Sequence, residues 1–280
     1  MDTIIQILAR ELGRSEAHVE NVVRLIDEGN TIPFIARYRK ELHGAMDDTA
    51  LRTLADRLQY LRNLDKRREE VKSAIEGQGK LTEELSAAID AAATLAEVED
   101  LYRPYKQKRR TRATVAREKG LEPLAELLFA QAADGPAPEE AAGAFIDPEK
   151  GVETAEDALQ GASDIIAERI SDDADIRKRL RELVWKKGYL VSAAAAKEPE
   201  DTVYRLYYAF RSPLNRVQGH QVLAINRGER EGVLKVSVEM EREAALIPVR
   251  RAVLNPGAPA MAFVRAAAED AYDRLIFPSV

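Results

Sequence analysis

Apolar residues recur at helical spacing near the start of the chain. Two successive faces consist of aliphatic side chains at i, i+3 and i+4 spacing: Ile4, Ile5, Leu8 and Leu12, then Val19, Val22, Val23 and Ile26. Gly13 and Gly29 end these two helices, and Pro33 begins a third short helix that reaches about Leu42. The pattern is compatible with a helix-turn-helix-like unit over residues 1–45, and equally with the corner of an ordinary helical bundle.

The central part of the chain, residues 46–188, continues the helical pattern. A long helix is predicted to begin at Asp47 and Asp48 and to reach Glu76, because leucines recur along its first half at spacings of three and four. Residues 154–187 predict two further helices with aliphatic inner faces. These segments together predict a helical core as the largest part of the fold.

The pattern changes after Tyr189, and a small mixed α/β segment is predicted over residues 189–280. Residues 233–238 alternate in polarity and are rich in β-branched side chains, which is typical of a strand. The glycine-containing residues 227–232 predict a turn before that strand, and residues 258–276 return to a helical pattern. The predicted fold class is mainly α, a multi-helical scaffold with a small mixed α/β segment near the C-terminus.

Composition narrows the class of protein. The 280 residues are 45% hydrophobic but only 6% aromatic, a balance that favours a folded and mainly helical chain. The absence of cysteine excludes disulfides and thiolate metal ligands, and it predicts a reducing, cytoplasmic location. The first residues do not resemble a secretory signal, and no apolar run of about 18 residues exists, so no membrane partner is expected.

Candidate catalytic and metal-binding residues form no recognisable pattern in the sequence. The three histidines, His18, His43 and His220, stand far apart, and a metal or general-base role would require the fold to bring them together. Phosphate-binding glycine loops and the nucleophile elbow of hydrolases are missing from the sequence. Trp185 is predicted to anchor the core rather than to stack on a base. The expected class is a binding protein without enzymatic activity, cofactor or metal, and an independent hydrolase is disfavoured.

One segment concentrates positive charge on a chain whose formal net charge is −6. Residues 103–117 contain seven basic residues and no acid, and Pro104 interrupts any helix, so a loop is predicted, followed by a helix from about Val115 to Gly120. The candidate nucleic-acid contacts are these cations and one ring among them: Tyr105, Lys106, Lys108, Arg109, Arg110 and Arg112. Arginine binds carboxylate as well as phosphate, so an internal network with Glu97, Glu99 and Asp100 is an equal alternative.

The same segment carries a resemblance to a known family. Two of the stretches that carry it are TIPFIARYRKE at residues 31–41 and DLYRPYK at residues 100–106. The complete set consists of residues 31–41, 58–64, 100–106, 108–114, 116–125 and 223–232. They resemble the signature of the Tex family of bacterial transcription accessory proteins. The similarity covers nearly the whole chain.

The resemblance implies a multidomain protein of which this chain is the N-terminal helical scaffold. Members of the family begin with a helical region that includes a helix-turn-helix-like part. A YqgF-like ribonuclease-fold domain, helix-hairpin-helix units and a C-terminal OB-fold RNA-binding module follow. The chain is expected to end before the YqgF-like domain, so downstream domains of the same chain are expected partners.

Two functions remain open for such a scaffold. The first is binding of RNA or DNA through this part and the downstream domains. In this part alone the binding is expected to be weak, on the order of 10⁻⁴–10⁻⁶ M, as is typical of sequence-independent contacts. The alternative is a purely structural platform that positions the other domains and contacts RNA polymerase.

Overall fold

The computed structural model describes residues 3–107, 109–196 and 201–280 of the chain. Over these ranges the fold is mainly helical, with a small antiparallel sheet in the C-terminal half, which confirms the predicted fold class. Contacts divide the chain into two compact units, Met1–Tyr105 and Lys106–Val280. The boundary between them falls inside the basic segment of residues 103–117.

The first unit is built from helices. Their bounds are α1 (Ile4–Leu12), α2 (Glu16–Asp27), α3 (Ile32–Tyr38), α4 (Asp48–Glu76), α5 (Glu83–Ala91), α6 (Leu95–Tyr102) and a short 3-10 helix, Arg103–Tyr105. Five of them begin at a side chain that accepts a hydrogen bond from the backbone N–H three residues later: Thr3, Ser15, Asp47, Thr82 and Thr94. The predicted long helix is confirmed, and α4 is 29 residues long.

Two hydrophobic clusters form the interior of the first unit, and α4 contributes to both. One cluster joins α1, α2 and α3 to the first half of α4, whose buried leucines run from Leu51 to Leu61. The other joins Leu64, Val71 and Ile75 in the second half of α4 to side chains of α5 and α6. The alternating leucine spacing of α4 is therefore explained by packing along nearly its full length.

The second unit contains the remaining helices. Their bounds are α7 (Arg112–Glu118), α8 (Glu122–Ala130), α9 (Pro138–Gly143), α10 (Ala155–Ser171), α11 (Ala174–Lys187), α12 (Gly219–Arg230), α13 (Arg242–Val253) and α14 (Met261–Asp270). A π-helical turn, Ala271–Ile276, follows α14, and short 3-10 helices occur at Pro148–Lys150, Arg205–Tyr207, Leu214–Arg216 and Phe277–Ser279. α10 is buried at the centre of this unit and packs against α7, α8, α9 and α14.

The sheet of the second unit has the strands β1 (Tyr189–Ala194), β2 (Ala209–Pro213) and β3 (Leu234–Glu239). Within the described ranges it is three-stranded and antiparallel, with β1 in the centre and Val191 opposite both Arg211 and Ser237. The predicted strand at 233–238 corresponds to β3.

Two local predictions are wrong. Residues 227–230 are helical, because α12 continues to Arg230, and the chain turns only at Gly232, where φ is +73°. Gly228 serves close packing instead, since a Cβ there would lie 2.7 Å from Cδ1 of Leu234. The predicted loop is also too long, because the helix predicted to begin at about Val115 begins at Arg112 instead. No helix of the described residues is both long and apolar enough to cross a membrane.

Candidate nucleic-acid interface

Thr111 fixes the C-terminal part of the basic segment to the second unit. Its hydroxyl oxygen accepts a hydrogen bond from the backbone N–H of Thr114 at 3.0 Å and so caps α7. The same hydroxyl donates to Oε1 of Glu168 at 2.9 Å. Glu168 is a buried residue of the central helix α10. The direction in which the chain enters α7 is therefore set by a capping bond and by a carboxylate of the core.

Arg117 forms ion pairs with two carboxylates of the second unit. Its Nη1 lies 2.7 Å from Oε2 of Glu168, and its Nε lies 3.2 Å from Oε1 of Glu122. Burial alone would lower the pKa of Arg117, but the hydrogen bond to Glu168 and the charges of both carboxylates raise the pKa above its usual value. Arg117 is therefore a structural cation of the second unit rather than a group open to phosphate.

Arg110 forms an ion pair that is weakened by its exposure to solvent. Its Nη2 lies 2.7 Å from Oε2 of Glu118, and 70% of the Arg110 side chain and 52% of the Glu118 side chain are exposed. An ion pair between exposed groups contributes only about 0–1 kcal/mol to stability. A phosphate can therefore replace the Glu118 carboxylate at small cost.

Arg109 and Arg112 are exposed, and among the described residues neither side chain forms an ion pair or a hydrogen bond. Lys106 is also exposed. Lys108, the remaining predicted contact, lies outside the described residues. The structure therefore brings three predicted cations, Arg109, Arg110 and Arg112, to one short exposed stretch, called the arginine cluster below.

Tyr105 is placed differently from the arginine cluster. It is the last residue of the first unit, whereas the cluster belongs to the second. The ring is half-buried and packs against the hydrophobic cluster formed by α4, α5 and α6. Its carbonyl oxygen accepts a hydrogen bond from Nε2 of Gln78 at 3.0 Å. The described contacts of Tyr105 are therefore packing contacts within the first unit.

The upstream acids have roles within the first unit. Oε1 of Glu99 lies 2.6 Å from Nε of Arg67, and Glu97 accepts a hydrogen bond from the backbone N–H of Ala93. Asp100 is buried. The described carboxylate partners of Arg110 and Arg117 are Glu118, Glu122 and Glu168. An internal ion-pair network therefore exists with acids that follow the basic segment.

No local pattern in the sequence indicated Glu168, which lies 51 residues beyond Arg117 and reaches it only through the fold. A second exposed group of rings and cations on α3 was also missed as a site. Its signal was present, since Phe34 and Tyr38 are four residues apart in a stretch, residues 29–40, that holds three basic residues and no acid. In the described ranges, no group of three or more His, Asp or Glu side chains is arranged to hold a metal ion.

Trp185 does not anchor the core, and that prediction is wrong. The side chain is 59% exposed. Ile176 and Leu180 form the buried face of α11, and Trp185 stands about 140° around the helix from Leu180. It lines an apolar cleft with Leu214 and Val238. Adjacency to aliphatic residues in the sequence therefore did not mean a shared helical face.

Comparison with known protein families matches two regions of the chain. Residues 2–76 match the Tex-like protein N-terminal domain, and residues 134–275 match the Tex central region. The second match alone covers half of the chain.

Individual relatives agree with the family matches. The chain is 45% identical over 278 residues to the uncharacterized protein YdcI of Bacillus subtilis, with 98% of the chain and 38% of the relative covered. It is 41% identical over 239 residues to the transcriptional accessory protein Tex of Neisseria gonorrhoeae, with 85% and 31% covered. It is 31% identical over 291 residues to the human S1 RNA-binding domain-containing protein 1, with 98% and 29% covered. The chain thus spans between 29% and 38% of the length of these curated relatives.

Proposed function

Because this chain belongs to the Tex family, we propose that it is the non-catalytic scaffold of a transcription accessory protein and binds nucleic acid through the arginine cluster. The contacts are sequence-independent and involve backbone phosphates. The chain acts in the cytoplasm, together with further domains of the whole protein. Its other partners are those domains and RNA polymerase.

The observation that carries this proposal is the exposure of Arg109 and Arg112 without a partner among the described residues. Fold stability does not account for Arg112, which is the first residue of α7, because the helix dipole disfavours a cation at that end. The first turn of α7 also contains no acid. Guanidinium groups bind phosphate in a bidentate manner, so nucleic-acid backbone is a fitting counter-charge.

The relatives support a link to RNA. The human relative is named for an S1 RNA-binding domain, and this chain covers 29% of that protein. We infer that the arginine cluster adds weak contacts to RNA binding by other parts of the whole protein. The affinity of the chain alone is then on the order of 10⁻⁴–10⁻⁶ M.

The test replaces Arg109, Arg110 and Arg112 with alanine and measures binding of labelled RNA, single-stranded DNA and duplex by fluorescence anisotropy over a series of salt concentrations. Binding should weaken alike for unrelated sequences. The log–log salt slope should fall by roughly 0.7 for each lost phosphate contact on single strands and roughly 0.9 on duplex.

A matched control replaces three other exposed arginines of the second unit, Arg216, Arg230 and Arg251, with alanine. These side chains form no ion pair or hydrogen bond among the described residues, and replacing them changes the net charge by the same amount. Equal weakening by both triple variants would reduce the effect to overall charge and refute a site at the arginine cluster. If the variant of the arginine cluster binds normally but has a lowered melting temperature, these arginines stabilise the fold and do not bind nucleic acid.

A structural platform is the second candidate function, and the exposed side chain of Trp185 is the observation that favours it. Large apolar side chains exposed beside other apolar groups are typical of protein contacts. In this case Trp185→Ala should weaken binding of RNA polymerase in a pull-down, while the arginine variants leave that binding unchanged. Loss of nucleic-acid binding in the arginine variants alone would favour the first function.

A further inference from the structure

α3 presents two neighbouring aromatic rings at the surface of the first unit. Phe34 and Tyr38 are four residues apart, so they lie on the same side of the helix, and their ring centroids are 5.2 Å apart. Tyr38 is 62% exposed, whereas Phe34 is 36% exposed and has the guanidinium of Arg39 5.6 Å from its centroid. Phe34 and Arg39 thus support a ring whose own surface faces solvent.

The core does not account for these rings. Ile35 is the fully buried residue of α3 and packs into the cluster with α1, α2 and the first half of α4. An exposed tyrosine ring costs solvation free energy that a polar residue would avoid. Tyr38 is therefore positioned for a contact that the first unit alone does not supply.

A positively charged cleft lies beside the rings, between α3 and the start of α4. It has a volume of about 550 Å³, and its charged lining residues are Arg37, Lys40, Asp48 and Arg52. The Asp48 carboxylate is already bound by Arg52, whose Nε lies 2.6 Å from it. Three cations against one carboxylate leave a net charge of +2 in the cleft. Arg37 and Lys40 are exposed, and in the part of the chain that the structure describes they have no ion pair.

We propose that this face of the first unit is a second nucleic-acid contact, separate from the arginine cluster, and that it binds a single strand. An unpaired base stacks on Tyr38, and adjoining phosphates bind Arg37 and Lys40. Exposed rings next to cations are the combination that single-strand-binding surfaces use, because every base has a π-face and every nucleotide a phosphate.

A single strand fits these residues better than a duplex or an acidic protein segment. The base faces of a duplex are covered by stacking, so a duplex would use Arg37 and Lys40 but leave the Tyr38 ring without a partner. A peptide whose side chains are all acidic would likewise use the cations and leave the ring unused. The proposal does not depend on the arginine cluster, which lies in the other unit.

The first test compares Tyr38→Leu with Tyr38→Trp in the full 280-residue chain. Leucine keeps an apolar side chain and removes the ring, whereas tryptophan keeps a ring. Anisotropy with labelled oligo(dT) should show about tenfold weaker binding for Tyr38→Leu and near-normal binding for Tyr38→Trp. Binding of a short duplex should be the same for both variants. Equal oligo(dT) affinity of the two variants would overturn the stacking contact.

The second test concerns the phosphates. Arg37→Ala with Lys40→Ala should weaken single-strand and duplex binding and lower the single-strand salt slope by roughly 1.4. The matched control is Arg14→Ala with Lys80→Ala, an exposed arginine and lysine of the same unit without an ion pair in the described residues. An equal effect of both double variants would refute the phosphate contact.

Photocrosslinking locates the contact directly and separates it from the proposed function. An oligonucleotide containing 5-iododeoxyuridine should crosslink to Tyr38 or Phe34 in the unsubstituted chain. The crosslink should persist when Arg109, Arg110 and Arg112 are alanine. Crosslinks confined to the second unit would refute the α3 site and support the arginine cluster. Crosslinks confined to α3 would support the α3 site and refute the arginine cluster.

Discussion

Neighbouring acids determine what each arginine of the basic segment does. Arg117 lies within reach of Glu168 and Glu122 and is held in the fold, whereas Arg109 and Arg112 have no partner among the described residues. Glu168 is the more informative acid, because it holds Arg117 and also accepts the hydrogen bond of Thr111. One buried carboxylate thereby orients α7, the helix that begins at the last arginine of the cluster.

At the residue scale we predict that Glu168→Gln lowers the free energy of unfolding by about 1–2 kcal/mol, as measured by urea denaturation. Glutamine has the same shape, but it removes the negative charge that faces Arg117. The Glu168 side chain is 11% exposed and that of Arg117 is 35% exposed, so water compensates Arg117 only in part. Glu126→Gln on α8 is the control, since Glu126 is exposed. An equal loss of stability in both variants would contradict a special role for Glu168.

At the scale of elements, small residues bring α7, α10 and the start of α8 close together. Gly161 of α10 faces Leu121 and Ala116, and a Cβ at Gly161 would lie 2.3 Å from Cδ1 of Leu121 and 3.3 Å from Cβ of Ala116. Ala116 and Leu121 are buried. The glycine is needed for this close approach rather than for an unusual backbone conformation.

We predict that Gly161→Ala destabilises the chain by about 1–3 kcal/mol, because the added methyl group forces Leu121 or a helix to move. Gly143→Ala in α9 is the matched control, since beyond its chain neighbours and the backbone of its own helix no described atom lies within 4 Å of the position of its Cβ. That variant should be neutral or stabilising by up to about 1 kcal/mol, because alanine favours helix. Thermal melts of the two variants that shift downward together would contradict the packing argument.

Elements that depend on local signals could be predicted from the sequence. The Asp47 and Thr82 caps mark the starts of α4 and α5, because a capping bond involves only residues three apart. The continuation of α12 through Gly228 could not be predicted, because that glycine serves a contact with Leu234 in the adjoining strand. The prediction for Trp185 was wrong for a similar reason, since the exposure of this side chain depends on which face of α11 the rest of the unit covers.

The candidate site likewise has features that the sequence predicts and features that only the structure shows. The density of cations in residues 106–112 is local, and the sequence predicted it. Glu168, which holds Arg117, comes from a distant helix, and the half-buried position of Tyr105 depends on packing against α4, α5 and α6. Which charges remain available is therefore a tertiary property, and only the structure separates Arg117 from Arg109 and Arg112.

At the scale of the whole molecule, each unit contains its own hydrophobic interior. The two clusters of the first unit consist of residues between Ile4 and Tyr105, and the large cluster of the second unit begins at Ala113. A unit with an interior of its own is expected to fold by itself. The two proposed nucleic-acid contacts belong to different units and should therefore be separable.

We predict that residues 1–105 produced alone are helical and melt in one cooperative transition, as measured by far-ultraviolet circular dichroism. Residues 1–76 are the control, because that piece lacks Ile89 and Val98 and exposes Val71 and Ile75 of α4. It should bind the dye ANS and melt over a broader range. A non-cooperative melt of residues 1–105 would show that the first unit depends on the second.

The sharing of α4 between two clusters restricts how the length of this sequence can change in evolution. A helix of 29 residues is about 44 Å long, and each inserted residue turns everything after it by about 100°. One insertion between Leu61 and Leu64 would leave the packing of α4 against α1, α2 and α3 in place, but it would rotate Val71 and Ile75 away from the cluster with α5 and α6. Descendants of this sequence should therefore gain and lose residues in the loops, while the number of residues in this helix stays the same.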